Sequence, residues 1–206
     1  MEMKDRWIRC WKAAGATGDP VPPWEALAAR YAEPHRGYHT LRHIEHCLVE
    51  FDPVRGQALD PVAVELAVWY HDAVYDTRQR DNEERSARLV ESVQGLPAAS
   101  ARRAGDLIRV STHKKPAADR DGKLFTDIDL AILGQPGDVF QDYERRVREE
   151  YAWVPEADFR AGRARILETF LDRFSIYATP YFQERYEKRA RLNLTASLLV
   201  LKGGST

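Results

Sequence analysis

Apolar residues recur along this chain with the period of a helix and nowhere convincingly with the period of a strand. Between Thr40 and Phe51, the positions Leu41, Ile44, Leu48 and Phe51 make one stripe. Asp60 and Pro61 read as the cap and first residue of a helix over 61–72, in which Val62, Leu66, Trp69 and Tyr70 follow at helical spacing. Asn82 is placed to cap a helix through about Ser92, closed by Gly95-Leu96-Pro97, and a further helix is expected from Ser100 to Ser111. A polar loop, THKKPAADRDGK, then leads into LFTDIDLAILG. The last third carries long amphipathic patterns over Phe140–Trp153, Ala157–Phe174 and Pro180 to about Val200. Pro20-Val21-Pro22-Pro23 reads as a kinked lead-in and GQPGD (134–138) as a connector. The expectation is an all-α, single-domain helical bundle over 1–206, with a core at about 31–133 and C-terminal helices at about 138–200 packing on it.

Charge narrows the function classes. The 31 basic and 32 acidic residues leave a formal charge of -1, so no global positive field exists to hold nucleic acid nonspecifically. No apolar run approaches the roughly 20 residues of a membrane span. The first residues, MEMKDRWIRCW, mix charges with tryptophans where a signal peptide has an apolar core. A soluble, cytoplasmic protein is expected. Cys10 and Cys47 have neither the number nor the spacing of a disulfide framework or a zinc-thiolate site.

The histidines carry the chemistry. His35, His39, His43 and His46 lie within twelve residues, and on a continuous helix His39, His43 and His46 would share one narrow face. An H-x-x-x-H pair can bind zinc, but this one lacks the adjacent Glu of a zincin. His71-Asp72 closes an apolar helix. An adjacent His-Asp pair, with a His before it and an Asp after it, supplies mixed nitrogen and oxygen ligands for a divalent metal of intermediate hardness.

In that order, His43, His71-Asp72 and Asp129, the chain resembles the HD-domain metal-dependent phosphohydrolases. His71-Asp72-Ala73-Val74-Tyr75-Asp76-Thr77 is similar to the HD-x-x-ED-T segment of the guanosine tetraphosphate (ppGpp) hydrolases, with Tyr75 in place of a Glu. Thr126-Asp127-Ile128-Asp129-Leu130 looks like the family's late A-D-x-L segment, which puts the ligand at Asp129 and not Asp127. YHTLRHI, WYHDAVYD, DNEERSA, DLAILG, VREEY and RARLNL are similar to an uncharacterised bacterial subfamily of these proteins, from about Tyr31 to Leu194. The resemblance implies a bundle of the HD/PDEase-like type in which His43, His71, Asp72 and Asp129 hold one divalent metal ion (Mn, Mg, Co, Ni, Zn or Fe).

It also implies hydrolysis of a nucleotide or other small phosphorylated metabolite. Asp76, one turn beyond Asp72 if the helix continues, and Glu83 are the candidate proton acceptors. His39 and His113 are candidates for a supporting or substrate-binding role, and Arg42, Lys114 and Lys115 for phosphate. Arg36, Arg148 and Arg163 are further cations of the right kind. Two rivals stand beside this reading: a di-iron oxygenase of the same fold, which needs a second metal, and a noncatalytic nucleotide-binding sensor. No membrane partner is expected, and a homo-oligomer is left open.

Overall fold

A computed structural model of the chain describes residues 2–112 and 116–203. Every regular element among them is helical, in agreement with the all-α expectation. The chain divides into two compact units, Met1–Asp129 and Leu130–Thr206. Ten α-helices follow in order: α1 (Met3–Ala13), α2 (Val21–Tyr31), α3 (Leu41–Phe51), α4 (Pro61–Tyr70), α5 (Asn82–Glu91), α6 (Ala98–Val110), α7 (Arg120–Leu130), α8 (Gly137–Glu150), α9 (Glu156–Leu171) and α10 (Pro180–Lys202). Among the described residues no helix is long and apolar enough to cross a membrane.

In the first unit α4 is the central element. It starts where expected, with Asp60 Oδ1 accepting the Ala63 amide at 2.9 Å. Every residue from Ala63 to Tyr70 is buried, and a helix apolar on all sides belongs inside a core. Helices α1, α3, α5 and α6 pack against it. Trp69 meets the edges of Trp7 and Trp24 at ring-centroid distances of 5.8 and 5.9 Å. Its one charge, Glu65, is matched by Arg6 at 3.0 Å and by Arg55.

Three elements depart from the sequence pattern. Helix α2 begins inside the Pro-rich lead-in: Pro22 and Pro23 occupy its first turn, where a missing N–H costs nothing. Helix α1 covers the mixed stretch at the start, burying Trp7, Cys10 and Trp11 together with Arg6, the partner of Glu65. Helix α7 starts at Arg120, within the expected loop, because Asp119 Oδ1 accepts the Gly122 amide at 2.7 Å and caps the turn. At the end of the α5 connection, Gly95 has φ +89 and packs on the Thr17 carbonyl, a place no Cβ could occupy.

Asp121 sets the register of two helices. Buried at the start of α7, it accepts the Leu59 and Asp60 amides at 2.7 and 3.1 Å, at the start of α4. The helices therefore begin side by side and run the same way. At 1.5 Å per residue, Asp60 to His71 spans about 16 Å and Asp121 to Asp129 about 12 Å. Their C-terminal ends arrive together.

In the second unit α9 packs on α10, and a 3₁₀ turn over Ala131–Gly134 packs on α10 as well. Asn193, in the RARLNL segment, donates to the Leu133 and Gln135 carbonyls at 2.8 and 2.9 Å. Glu187 accepts the Ile176 and Tyr177 amides and pairs with Arg191. That segment serves packing in this unit.

Candidate metal centre

Three separate pieces of backbone deliver one cluster. His43 stands in the first turn of α3, His71 and Asp72 follow the last residue of α4, and Asp129 is in the last turn of α7. The two imidazoles meet with Nε2 atoms 3.0 Å apart. Asp72 Oδ2 lies 3.1 Å from His71 Nε2 and 3.5 Å from His43 Nε2. Asp129 Oδ1 lies 3.3 Å from His43 Nε2 and 3.5 Å from His71 Nε2. Ligands held 2.0–2.2 Å from a shared ion are about 2.8–3.6 Å from one another, from octahedral to tetrahedral coordination. The spacing fits a cation. Both histidine side chains are almost fully buried, whereas Asp72 and Asp129 keep 18% and 17% of their side-chain surface exposed. The cluster opens to solvent on its carboxylate side.

The protonation pattern points the same way. His71 Nδ1 donates to the Val68 carbonyl at 3.0 Å, which directs its Nε2 at the cluster. Burial alone would push this imidazole down, but Asp72 and Asp129 prevail and raise it well above its ordinary value. His43 is lowered, burial being the larger influence, despite the same carboxylates. A protonated His71 can then donate through Nε2 to His43. Burial opposes ionisation of Asp72, yet His71, His39 and His43 together hold its carboxyl below the usual range. A divalent cation would displace the His71 proton; with both imidazoles neutral the four groups sum to two negative charges, which it would balance. The C-terminal ends of α4 and α7 add partial negative charge at the same place.

One neighbour escaped the sequence reading. His43, Cys47, His71 and Asp129 each offer an atom within 4.8 Å of the others, a group that could hold a metal ion. Cys47 is four residues after His43 on α3, and this i, i+4 spacing was the signal available. Its sulfur is 3.7 Å from both His43 ring nitrogens, so it lies across the ring and not along the Nε2 axis. Burial, with Asp129 and Asp72 nearby, pushes the thiol well up, and a bound cation would act in the opposite direction. Cys47 packs against the His43 ring at the buried side of the cluster.

The chain matches no known protein family, no curated protein and no solved structure.

Around the cluster, the segment 35–39 is zipped to the segment 72–76. His35 Nε2 bonds the Tyr75 carbonyl at 2.8 Å, and the His39 ring stacks on Tyr75 at 4.2 Å. His39 precedes α3, so the shared helical face drawn for it does not exist; it reaches His43 instead as an edge-to-face neighbour at 5.8 Å. Asp76 also differs in its setting. Helix α4 stops at Tyr70, so Asp76 is not one turn beyond Asp72. Its Oδ1 accepts the Arg78 amide at 2.9 Å, a local turn. Its backbone N–H and C=O bond the Asn82 side chain at 3.1 and 2.9 Å, which puts it beside the first turn of α5, where Glu83 is half-exposed.

Of the cations, Arg42 is exposed next to His43 on α3. His113, Lys114 and Lys115 lie outside the described residues. Arg148 is engaged by Glu156 and the Tyr151 carbonyl, and Arg163 by Glu144 and Tyr143. Arg36 is buried among backbone carbonyls. These last three are committed to structure.

Proposed function

We propose that the protein is a metal-dependent phosphohydrolase of the HD type, acting on a nucleotide or other small phosphorylated metabolite. The observation that carries this reading is the convergence of His43, His71, Asp72 and Asp129, four donors from three backbone segments, with each imidazole Nε2 3.0–3.5 Å from the other and from both carboxylates. The order of these residues along the chain is that of the HD phosphohydrolases, and their two imidazoles and two carboxylates make an N₂O₂ set suited to metals of intermediate hardness. Bound there, a divalent ion supplies Lewis acidity toward a phosphoryl oxygen and acidifies its water toward a pKa of about 7.

The chain's own groups divide the remaining work. His43 and His71 bind through Nε2, and the Val68 carbonyl keeps His71 in the binding tautomer. Asp72 and Asp129 bind through the oxygens on the open side, where substrate has access. Asp76 is assigned the proton of the attacking water. The Arg78 amide bonds one of its oxygens, and Glu83 at the same corner is the alternative. Arg42 on the rim of α3, together with Lys114 and Lys115, is assigned the substrate phosphate, and His39 the position between that phosphate and Asp72.

The test is a panel of nucleotides and phosphorylated metabolites with phosphate detection, run with Mg, Mn, Co, Ni, Zn and Fe supplied separately. Release of phosphate or pyrophosphate that chelation abolishes and one of these metals restores is the expected result. A metal-loaded protein that binds nucleotides and turns none over would leave the sensor reading in its place.

A further inference from the structure

Arg36 has an unusual place for a cation. Its side chain has no exposed surface. One terminal nitrogen donates to the His39 carbonyl at 2.9 Å and the Asp72 carbonyl at 2.7 Å, and the other reaches the Ala73 carbonyl at 3.3 Å. Its Nε donates to Glu33 at 3.0 Å. The guanidinium carbon lies 5.2 Å from the centre of the Tyr31 ring and 5.5 Å from that of Tyr75.

Two features make this more than packing. First, past the last residue of α4 the His71 and Ala73 amides still reach back to the Ala67 and Tyr70 carbonyls at 2.9 and 3.0 Å, but the Asp72 and Ala73 carbonyls turn to Arg36, and that peptide carries the Asp72 side chain. A cation on carbonyls just past a helix C-terminus both satisfies them and opposes the helix dipole. Second, a buried charge whose ionic partner among the described residues, Glu33, is itself 37% exposed is a poor way to gain stability; an apolar side chain of the same volume does as well or better. What the planar fork achieves, and an apolar side chain cannot, is to hold His39, Asp72 and Ala73 at fixed distances from one another.

We infer that Arg36 is a positioning residue of the metal centre: it fixes the Asp72 carboxylate and the His39 ring by gripping their backbones, and touches neither metal nor substrate. This rests on the metal reading above. Loss of a group that orients a ligand typically weakens metal binding by 10–100-fold.

The probe is Co²⁺ alone, titrated into metal-free protein and followed by its visible d–d absorption, with thermal melting recorded in parallel. Arg36→Met is expected to raise the Co²⁺ Kd about 10–100-fold and to change the band shape. Arg36→Lys, which reaches fewer carbonyls, is expected to fall between, and millimolar methylguanidinium to restore part of the affinity of Arg36→Met. Arg163→Met, which removes another buried guanidinium remote in sequence from every proposed ligand, is expected to lower melting and leave Kd unchanged. An Arg36→Met protein with wild-type Kd and spectrum, however much its melting falls, overturns the inference alone. If that variant does not fold, an Arg36→Lys protein with wild-type Kd overturns it equally. Wild-type protein that binds no Co²⁺ overturns the metal reading and this inference together.

Discussion

Replacing His46 should flatten the acid side of the stability curve. Both ring nitrogens are buried without a hydrogen-bond partner, and Glu50 Oε1, at 3.6 Å, is beyond hydrogen-bond reach. Burial, reinforced by His43 and only partly opposed by Asp129, lowers the imidazole from 6.5 to about 4. Because the folded value is depressed, the folded protein binds fewer protons than the unfolded chain between these limits. The His46 contribution to stability is intact above pH 6.5 and is lost as pH falls toward 4. At 1.36 kcal/mol per unit, the loss on going from pH 7.5 to pH 5 is about 2 kcal/mol. The side chain keeps 25% of its surface, which makes this an upper figure. Urea denaturation of metal-free wild type and His46→Leu at both pH values isolates it, since the other titrating groups are shared and cancel in the double difference. The variant should lose less stability than wild type between the two values, by about 2 kcal/mol at most. Equal losses would refute the claim that the imidazole is held neutral by burial.

Asp121→Ala removes the pin between α7 and α4 and leaves two amides unserved, so the melting temperature should fall by the equivalent of about 2–4 kcal/mol. Metal affinity should fall with it; unchanged affinity would show that Asp121 does not set the meeting of His71 and Asp129. Asp76→Asn should lower kcat by about 10²–10⁴-fold with metal content and melting little changed. If Asp76→Asn turns over normally and Glu83→Gln is dead, the base is Glu83; normal turnover in both removes this step from the mechanism.

The helices were legible wherever an apolar stripe or a cap stood alone in the sequence. Asp60-Pro61 announced α4, and the stripe from Leu41 to Phe51 announced α3. Helices α1 and α2 were not read, because tryptophans among charges and a run of prolines mask a helical face that only their partners reveal. Helix α7 was read late because its cap, Asp119, sits inside a polar run that reads equally as loop. The cluster was legible as a set of residue types in order, and His43, His71, Asp72 and Asp129 are brought together. Exact roles nearby were not. A helix extended past Tyr70 put Asp76 on the wrong footing, and one started before Leu41 put His39 on a face it does not share. Arg36, counted among phosphate cations, turned out to face carbonyls, since nothing in a lone arginine tells which acceptor it meets. Cys47 was dismissed by counting cysteines, although its i, i+4 relation to His43 placed it beside the imidazole.

The most direct test of the account is the metal content of protein purified without chelators, by elemental analysis, for wild type, for each of His43→Ala, His71→Ala, Asp72→Ala and Asp129→Ala, and for Asp127→Asn. The account predicts about one divalent ion per chain in wild type and in Asp127→Asn, and loss of most of it in each of the other four, since each removes one donor from a shared site. Full occupancy in His71→Ala, or a loss in Asp127→Asn equal to that in Asp129→Ala, would contradict it.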